Sequence, residues 1–297
     1  MKNITIIGCG AVGALYGLRL HTLLGGDHLT FLVDAERKAR YEEEGIFING
    51  ERAPFRFVTA DESEVSDLII IATKNHHLGA AIAMMAPLVG EHTAILSLLN
   101  GIESEGELTR AFGPSHVLYG FCVGLNSTHS ANAITYTTEG RIVFGEKDNE
   151  KSERVLALKA LFERAGIASV VPKDILVSLY NKFMLNTAYN TISALLDATY
   201  GELATEPVWR LARAVSREVQ AVAKAEGVLL PDSLIEENHA IVTSLGSGKT
   251  SMAQDMEAGR VTENAWFCGT VIKLGIRHGI LTPVSETLSA LIEAKSL

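Results

Sequence analysis

Near its N-terminus the sequence runs Ile4-Thr5-Ile6-Ile7-Gly8-Cys9-Gly10-Ala11-Val12-Gly13. Its first four residues favour a buried strand, and residues 14–20 carry apolar side chains at helical spacing. A G-x-G-x-x-G loop between a strand and a helix is typical of a dinucleotide site. Gly8 permits the tight turn, Gly10 lets the backbone approach a pyrophosphate, and Gly13 lets the helix pack on the strand. We therefore predict that residues 8–13 bind a dinucleotide at the helix N-terminus; the alternative is a glycine-rich turn without a ligand.

The length and composition are typical of a globular protein with two domains. The chain has 297 residues, of which 47% are hydrophobic and 21% are charged. Its 26 basic and 35 acidic residues give a formal net charge of −9. That charge argues against general binding to nucleic acid or to an anionic membrane, but it leaves room for a local basic pocket that binds an anionic small molecule.

The cysteines and the apolar runs indicate the compartment. Cys9, Cys122 and Cys268 lie far apart and lack the spacing of a metal site, so we predict no metal centre. An odd number of cysteines without a pairing pattern fits the reducing cytoplasm. The first apolar run is too short for a signal peptide, and no run approaches the roughly 20 residues of a membrane helix. We expect a cytoplasmic protein with no membrane partner.

The first half of the chain alternates predicted strands with predicted helices. Apolar runs at 29–33, 68–72 and 93–98 are typical of buried parallel strands, and residues 78–88 favour a helix. Alternating strands and helices imply a parallel sheet with right-handed crossovers. Shorter, more polar runs predict mixed-sense extensions of the sheet, at 117–122, 133–138 and 141–144.

The second half carries helical periodicity and no convincing strand. The predicted helices cover residues 175–196, 208–226, 234–243, 262–278 and 284–295. We therefore predict an α/β Rossmann-type domain over residues 1–172 and an all-α domain over residues 173–297. The helical domain could support a homodimer, although no exposed stripe in the sequence marks an interface.

The loop after the second strand is a candidate for selecting the cofactor. An acidic residue about 20 positions beyond the glycines usually binds the ribose 2′-hydroxyl of NAD, and Asp34 stands at that place. Arg37 and Lys38 could instead bind the 2′-phosphate of NADP. Asp34 could equally be the N-cap of the next helix, and both roles are compatible.

Two further strand ends supply polar residues. Lys74 follows the strand at 68–72, and Asn100-Gly101 follows the strand at 93–98. The structural alternatives are a solvated lysine and a tight turn, but ligands bind at the carboxyl ends of parallel strands. We predict that both bind the cofactor and that Asn100 also binds substrate. We interpret His76-His77 as loop residues whose adjacent side chains diverge, which disfavours a shared metal.

A polar stripe follows an otherwise apolar helix in the second half. Lys182, Asn186 and Asn190 are spaced i, i+4, i+8 and would line one helix face over about 12 Å. The alternative is a solvated face, but asparagine is a poor helix former and is costly to bury without partners. The stripe would suit a polar ligand with several oxygens.

A second group of polar residues lies between 250 and 263. Ser251 and Asp255 share a face of a predicted helix, whereas Glu263 converges with them only if the helix breaks, for which Gly259 is a suitable place. The alternative is capping, in which Ser251 or Thr262 starts a helix and Glu263 lies in the first turn.

Together these motifs resemble the ketopantoate reductase family, the 2-dehydropantoate 2-reductases, along nearly the whole chain. Lys74 matches the lysine after the fourth main strand. The other matching pieces are G-C-G-A-V-G at 8–13, L-N-G-I at 99–102, N-K-F-M-L-N-T-A-Y-N at 181–190, S-M-A-Q-D-M-E-A-G-R-V-T-E at 251–263 and H-G-I-L-T-P at 278–283.

The resemblance implies NADPH-dependent reduction of 2-dehydropantoate to D-pantoate, in pantothenate and coenzyme A biosynthesis. It implies that Lys182 is the catalytic lysine and that Glu263 works with it and the substrate. It also implies that Asn186 and Asn190 bind the substrate hydroxyl and that Ser251 holds the substrate carboxylate. An ammonium group can stabilise the oxygen of a ketone under reduction and give it a proton.

Three departures from the family pattern leave other functions open. Asp34 replaces the usual arginine and would repel a 2′-phosphate, so NAD is an alternative to NADP. Ala265 and Cys268 replace the usual aspartate and asparagine, and Trp266 is large. One alternative is an NAD-dependent D-2-hydroxyacid dehydrogenase that acts on another branched or aromatic 2-oxo acid. Another alternative is a dinucleotide sensor without turnover. The presence of both Lys182 and Glu263 argues against this alternative, because a sensor needs no proton donor.

Overall fold

The glycine loop joins a buried strand to a helix, as predicted. In this computed structural model, which describes residues 1–296, strand β1 (Ile4–Ile7) leads into the loop and helix α1 (Ala11–Leu24) begins within it. The chain forms two compact units, of which the first covers Met1–Ile175 and the second starts at Leu176.

A ten-stranded sheet forms the first unit. Its strands are β1, β2 (Leu29–Leu32), β3 (Phe47–Ile48), β4 (Glu51–Arg52), β5 (Phe57–Val58), β6 (Ser66–Ile71), β7 (Val89–Ser97), β8 (Val117–Ser130), β9 (Ala133–Gly145) and β10 (Ser169–Val170). Six of them are parallel and lie in the order β5-β2-β1-β6-β7-β8. Numbered along the chain, that order is the 3-2-1-4-5-6 of a Rossmann fold, which confirms the predicted fold class.

The central strands are buried on both faces. Ile70 and Leu96 pack in one apolar cluster, and the alternate residues Ile69, Ile71 and Ile95 pack in a second. This arrangement explains why the strands were continuous apolar runs rather than alternating patterns in the sequence. The helices of this unit after α1 are α2 (Ala35–Glu44), α3 (Leu78–Met85), α4 (Ser104–Phe112) and α5 (Glu153–Arg164).

The strand order reverses at β1, which lies between β2 and β6. In open parallel sheets, ligands bind beside such a reversal, at the carboxyl ends of the strands. The loops that leave those ends carry Gly8, Asp34, Lys74 and Asn100. The fold therefore brings the four predicted cofactor loops to one edge of the sheet.

The end of the sheet differs from the prediction of three short strands. β8 and β9 form one long antiparallel hairpin, in which β9 runs without a break through residues 133–145. The outer half of β8, from Val123 onward, alternates between half-buried and exposed residues. Its polarity therefore reflects partial exposure rather than a shorter strand.

The second unit is helical. Its elements are α6 (Ile175–Leu185), a π-helical turn (Asn186–Asn190), α7 (Thr191–Leu196), α8 (Glu206–Ala225), α9 (Ser233–Ser244), α10 (Ser251–Glu257), α11 (Cys268–His278) and α12 (Pro283–Lys295). The helix predicted over 175–196 is confirmed in its extent, but a π-turn interrupts its α-helical bonding. The helix predicted from Thr262 starts only at Cys268, after a short 3₁₀ turn at Asn264–Trp266. Among residues 1–296, no helix combines the length and the apolar character needed to cross a bilayer.

Candidate active site

The glycine loop packs closely on the sheet but is open on one side. Gly8 has a φ of +103°, and a Cβ there would lie 2.5 Å from the carbonyl oxygen of Ala72. A Cβ on Gly13 would collide with the carbonyl oxygen of Gly8. At Gly10, by contrast, a Cβ would meet no heavy atom within 4 Å beyond its chain neighbours. The loop thus leaves space above Gly10, where a pyrophosphate would approach.

The N-terminus of α1 suits an anion. Its N-cap, Gly10, makes no side-chain cap bond, and the first turn of α1 contains no acidic residue. The helix dipole and the first N–H groups therefore point at the open side of the loop. The Tyr136 hydroxyl donates to the carbonyl oxygen of Ala11, which fixes the loop from strand β9. Burial raises the pKa of the Cys9 thiol to about 12, so Cys9 is a small packing residue rather than a nucleophile.

Asp34 caps helix α2 and holds Arg37. One carboxylate oxygen accepts a hydrogen bond from the Arg37 backbone N–H at 2.7 Å, and the other accepts from the Arg37 guanidinium at 2.7 Å. The backbone hydrogen bond from Arg37, together with its charge, lowers the pKa of Asp34. Lys38 pairs with Glu62 at 2.6 Å. The predicted N-cap role of Asp34 is confirmed, and its contact with the ribose stays a prediction. Arg37 and Lys38, the two cations suited to a 2′-phosphate, are both paired with carboxylates.

The loops after β6 and β7 are joined by a residue that the sequence analysis missed. Asn75 is 5% exposed, and its amide nitrogen donates to the backbone oxygen of Asn100 at 3.0 Å. Its position between Lys74 and the paired histidines was the only available signal. The rings of His76 and His77 lie 4.1 Å apart between centroids, so the expectation that they diverge was wrong.

The polar stripe of the second unit lies on a helix that changes its winding. Lys182 is half-buried on α6, whereas Asn186 and Asn190 are the first and last residues of the π-turn and are 7% and 5% exposed. Within the described chain, neither asparagine amide forms a side-chain hydrogen bond. The stripe is therefore a set of buried groups with open hydrogen-bonding capacity rather than a solvated face. Its α-helical spacing is wrong beyond Leu185, where the π-turn replaces α-helical bonding.

Ser251 opens helix α10 but does not cap it. The N-cap is Thr250, whose hydroxyl accepts a hydrogen bond from the backbone N–H of Ala253 at 3.2 Å. The capping alternative was therefore wrong by one residue, and the Ser251 side chain stays exposed. Helix α10 packs on α7 and on the π-turn, which brings the element that begins at Ser251 against the segment with Asn186 and Asn190.

The break expected at Gly259 is confirmed. Helix α10 ends at Glu257, and Gly259 has a φ of +63°. The Arg260 guanidinium donates to the buried Asp255 carboxylate at 2.9 Å and closes the turn. Glu263, which is 5% exposed, follows this turn.

Asn264, another residue that the sequence analysis missed, fixes the backbone beside Glu263. Its amide nitrogen donates to the hydroxyl of Ser289 on α12 at 2.9 Å, and the side chain is buried. Its position next to Glu263, a predicted site residue, was its only signal in the sequence.

The same two halves of the chain match a known family. The family described as "Ketopantoate reductase PanE/ApbA" matches residues 4–149, and its C-terminal counterpart matches residues 174–296. The chain belongs to the ketopantoate reductase family. Members of this family are NADPH-dependent oxidoreductases that act on a keto group, so this family member is an NAD(P)-dependent oxidoreductase that acts on a small-molecule keto acid.

Three relatives illustrate the range of the family. The chain is 31% identical to "Uncharacterized oxidoreductase YkpB" of Bacillus subtilis strain 168 over 96% of each chain. The crystal structure of 2-dehydropantoate 2-reductase from Geobacter metallireducens GS-15 is 27% identical with a TM-score of 0.86, over 98% of this chain and 99% of that one. D-Mandelate dehydrogenase in a ternary structure with NADH and anilino(oxo)acetate is 25% identical with a TM-score of 0.88, over 99% and 98%.

The departures from the ketopantoate reductase pattern lie in different environments. Cys268 is fully buried in the core of the helical unit, and its thiol donates to the Thr191 hydroxyl at 3.7 Å. Burial raises the pKa of this thiol to about 12. Ala265 is exposed and Trp266 is half-buried. Cys268 is therefore a packing substitution, and Ala265 and Trp266 are the departures that a ligand could reach.

Proposed function

We propose that this protein reduces 2-dehydropantoate to D-pantoate with NAD(P)H, in the route to pantothenate and coenzyme A. The observation that carries the proposal is the pair Asn186 and Asn190, two buried amides on the helix of Lys182. Their amide atoms have no hydrogen-bond partner among the described residues and are not cut off from solvent, so a ligand can hydrogen-bond to them directly. A 2-oxo acid with a hydroxyl group offers three kinds of oxygen to such a surface.

The nucleotide unit would hold the cofactor. The open glycine loop and the uncapped N-terminus of α1 fit a pyrophosphate, and Asp34 with Arg37 would contact the adenosine ribose. Lys74 and Asn100 lie in two neighbouring loops, and we assign cofactor binding to both. We assign Asn100 a second role as a substrate ligand. When bound, the dihydronicotinamide supplies the hydride that reduces the ketone carbon.

The helical unit would hold the substrate and supply the proton. The Lys182 ammonium donates a hydrogen bond to the ketone oxygen, stabilises the negative charge that develops there, and transfers a proton to it. Lysine is left as a neutral amine and regains its proton from solvent. Glu263 orients the ammonium, Asn186 and Asn190 bind the substrate hydroxyl, and Ser251 hydrogen-bonds to the carboxylate.

A second candidate is an NAD-dependent D-2-hydroxyacid dehydrogenase. Two observations favour it. Asp34 stands beside the predicted ribose site and holds Arg37, which reduces the positive charge available to a 2′-phosphate. In addition, the D-mandelate dehydrogenase neighbour binds NADH. The half-buried Trp266 would then favour a branched or aromatic 2-oxo acid.

One experiment separates these candidates. The purified protein is mixed with NADPH or NADH and a panel of 2-oxo acids that includes 2-dehydropantoate and phenylglyoxylate, and cofactor oxidation is followed by absorbance. The highest kcat/KM with 2-dehydropantoate supports the first candidate. A preference for an aromatic acid with NADH supports the second. Cofactor binding without turnover on any acid would indicate a dinucleotide sensor.

A further inference from the structure

Helix α9 contacts the segment of Lys182, Asn186 and Asn190 through two consecutive residues. The amide nitrogen of Asn238 donates to the side-chain oxygen of Asn181 at 2.9 Å. The next residue, His239, shares a hydrogen bond of 3.1 Å between its Nδ1 and the Tyr189 hydroxyl. Asn181 immediately precedes Lys182, and Tyr189 immediately precedes Asn190. One short stretch of α9 therefore holds both ends of the polar segment.

Both contacts are shielded from solvent. Asn238 is 2% exposed and Tyr189 is 1% exposed, so neither side chain can exchange its partner for bulk water at little cost. The His239 ring stacks on Trp209 of α8, with centroids 4.1 Å apart and planes inclined by 23°. Burial raises the pKa of Tyr189, so its hydroxyl keeps its proton and can donate to or accept from His239 Nδ1, according to the tautomer of the imidazole.

The π-turn at residues 186–190 explains why this segment needs the two hydrogen bonds to helix α9. A π-turn is a rare interruption of an α-helix, and it changes the direction of the side chains that follow by about 100° per inserted residue. If residues 186–190 returned to α-helical bonding, the direction of Asn190 relative to Lys182 would change. A contact before Lys182 and a second one at Tyr189 fix the winding between them.

We propose that Asn238 and His239 are positioning residues for this reductase. They act through Asn181 and Tyr189 and keep Lys182, Asn186 and Asn190 directed at one substrate. The inference rests on the proposed function for the roles of Lys182 and the two asparagines. The hydrogen bonds themselves belong to the helical unit alone.

The test removes each hydrogen bond and keeps the packing. Tyr189→Phe and His239→Phe each delete the bond between these residues and retain an aromatic ring. We expect the KM for the 2-oxo acid to rise about fivefold in each variant, because Asn190 lies next to Tyr189. The double variant is expected to be no worse than either single variant, since both delete the same bond. Asn238→Leu, which keeps a side chain of similar volume, is expected to lower kcat about fivefold with a smaller change in KM, because the partner of Asn238 lies next to Lys182.

The matched control is Ser216→Ala. Ser216 is a buried residue of α8 whose hydroxyl donates to the Ala212 carbonyl, so its loss removes one hydrogen bond of the same unit that involves no residue between 181 and 190. We expect Ser216→Ala to leave KM and kcat within twofold of wild type. Thermal unfolding of every variant, and the Kd for NAD(P)H, show whether an effect is confined to substrate turnover.

Hydrogen exchange of peptides covering residues 181–190 gives a readout that does not depend on activity. Faster exchange there in Tyr189→Phe but not in Ser216→Ala, together with the shift in KM, supports the proposal. Unchanged KM and kcat in Tyr189→Phe overturn it, whatever the exchange rates. If wild type reduces none of the 2-oxo acids, the proposed function fails, and exchange alone then decides: unchanged rates at 181–190 overturn the positioning role, and faster rates confined to that segment support it.

Discussion

The glycine loop presents backbone to a ligand at Gly10, whereas the helical segment from Lys182 to Asn190 presents side chains. In the loop, shape comes from residues within it, since Gly8 and Gly13 approach neighbouring backbone too closely for any side chain. In the helical segment, shape comes from outside, through hydrogen bonds from α9 and packing by α8 and α10.

The difference predicts two kinds of mutational behaviour. A methyl group added inside the loop disturbs the fold and the cofactor site together. A functional group removed from the helical segment changes turnover while the fold and cofactor binding persist, because the amides of Asn186 and Asn190 serve no internal hydrogen bond. The variants below test that separation.

The largest effect is expected at Lys182. Lys182→Ala should lower kcat by roughly 10²–10⁴-fold, because it removes the proposed general acid, and should leave the Kd for NAD(P)H unchanged. Steady-state kinetics and cofactor fluorescence titration measure both quantities. Lys182→Arg keeps the positive charge but does not release a proton at neutral pH, so a similar loss there assigns the effect to proton transfer. Turnover by Lys182→Ala within twofold of wild type would contradict the role.

The paired loop variants Gly13→Ala and Gly10→Ala should separate folding from binding. In Gly13→Ala the new Cβ collides with the Gly8 carbonyl, and we expect a loss of about 1–3 kcal/mol in the free energy of unfolding together with weaker cofactor binding. In Gly10→Ala the Cβ enters open space, so stability should persist while the Kd for NAD(P)H rises about tenfold by our estimate, or about 1.4 kcal/mol. Denaturant unfolding and fluorescence titration are the measurements. Equal stability of the two variants would argue against the packing described for the loop.

Asn186→Ala and Asn190→Ala should act on the substrate alone. Each is expected to raise the KM for the 2-oxo acid about tenfold, which corresponds to about 1.4 kcal/mol and to the loss of one hydrogen bond to the ligand. The Kd for NAD(P)H should stay within twofold. If either variant instead lost cofactor binding and KM stayed constant, the contrast between the two regions would not hold.

The smallest expected effect concerns cofactor choice. Asp34→Arg should raise the ratio of kcat/KM for NADPH to that for NADH about fivefold, or about 1 kcal/mol, because it replaces a charge that would repel a 2′-phosphate with one that would attract it. Asp34→Ser is the control, since serine keeps the N-cap of α2 and removes the carboxylate. It should move the ratio in the same direction by less. An unchanged ratio in Asp34→Arg would mean that Asp34 acts only as a cap.

The nucleotide unit was largely predictable from the sequence because its signals are local. The strand from Ile4, the three glycines and the apolar runs at 68–72 and 93–98 each carry their own periodicity and end in loops at one edge of the sheet. The cap at Asp34 was predictable for the same reason, since it depends on residues only three positions apart.

The winding of the helical segment was not predictable in that way. Tyr189 in the π-turn hydrogen-bonds to His239, 50 positions away, and no pattern within 181–190 reveals such a contact. Asn75 and Asn264 were missed because their partners, Asn100 and Ser289, are about 25 residues distant. Cys268 replaces a residue that is usually an asparagine in the family, so the family pattern predicts a polar side chain there. Only its packing in the structure identifies Cys268 as a core residue.

The burial of Cys9, Cys122 and Cys268 has a practical consequence for labelling experiments. None of the three forms a disulfide. Burial raises the pKa of the Cys9 and Cys268 thiols to about 12, so both stay un-ionised at neutral pH, and the thiolate is the form that reacts with maleimides and iodoacetamides. A cysteine introduced at an exposed site, such as Ala265, would therefore take up a fluorophore selectively over these two native thiols. Such a probe would report on the loop between Gly259 and Cys268 while the native core stays untouched.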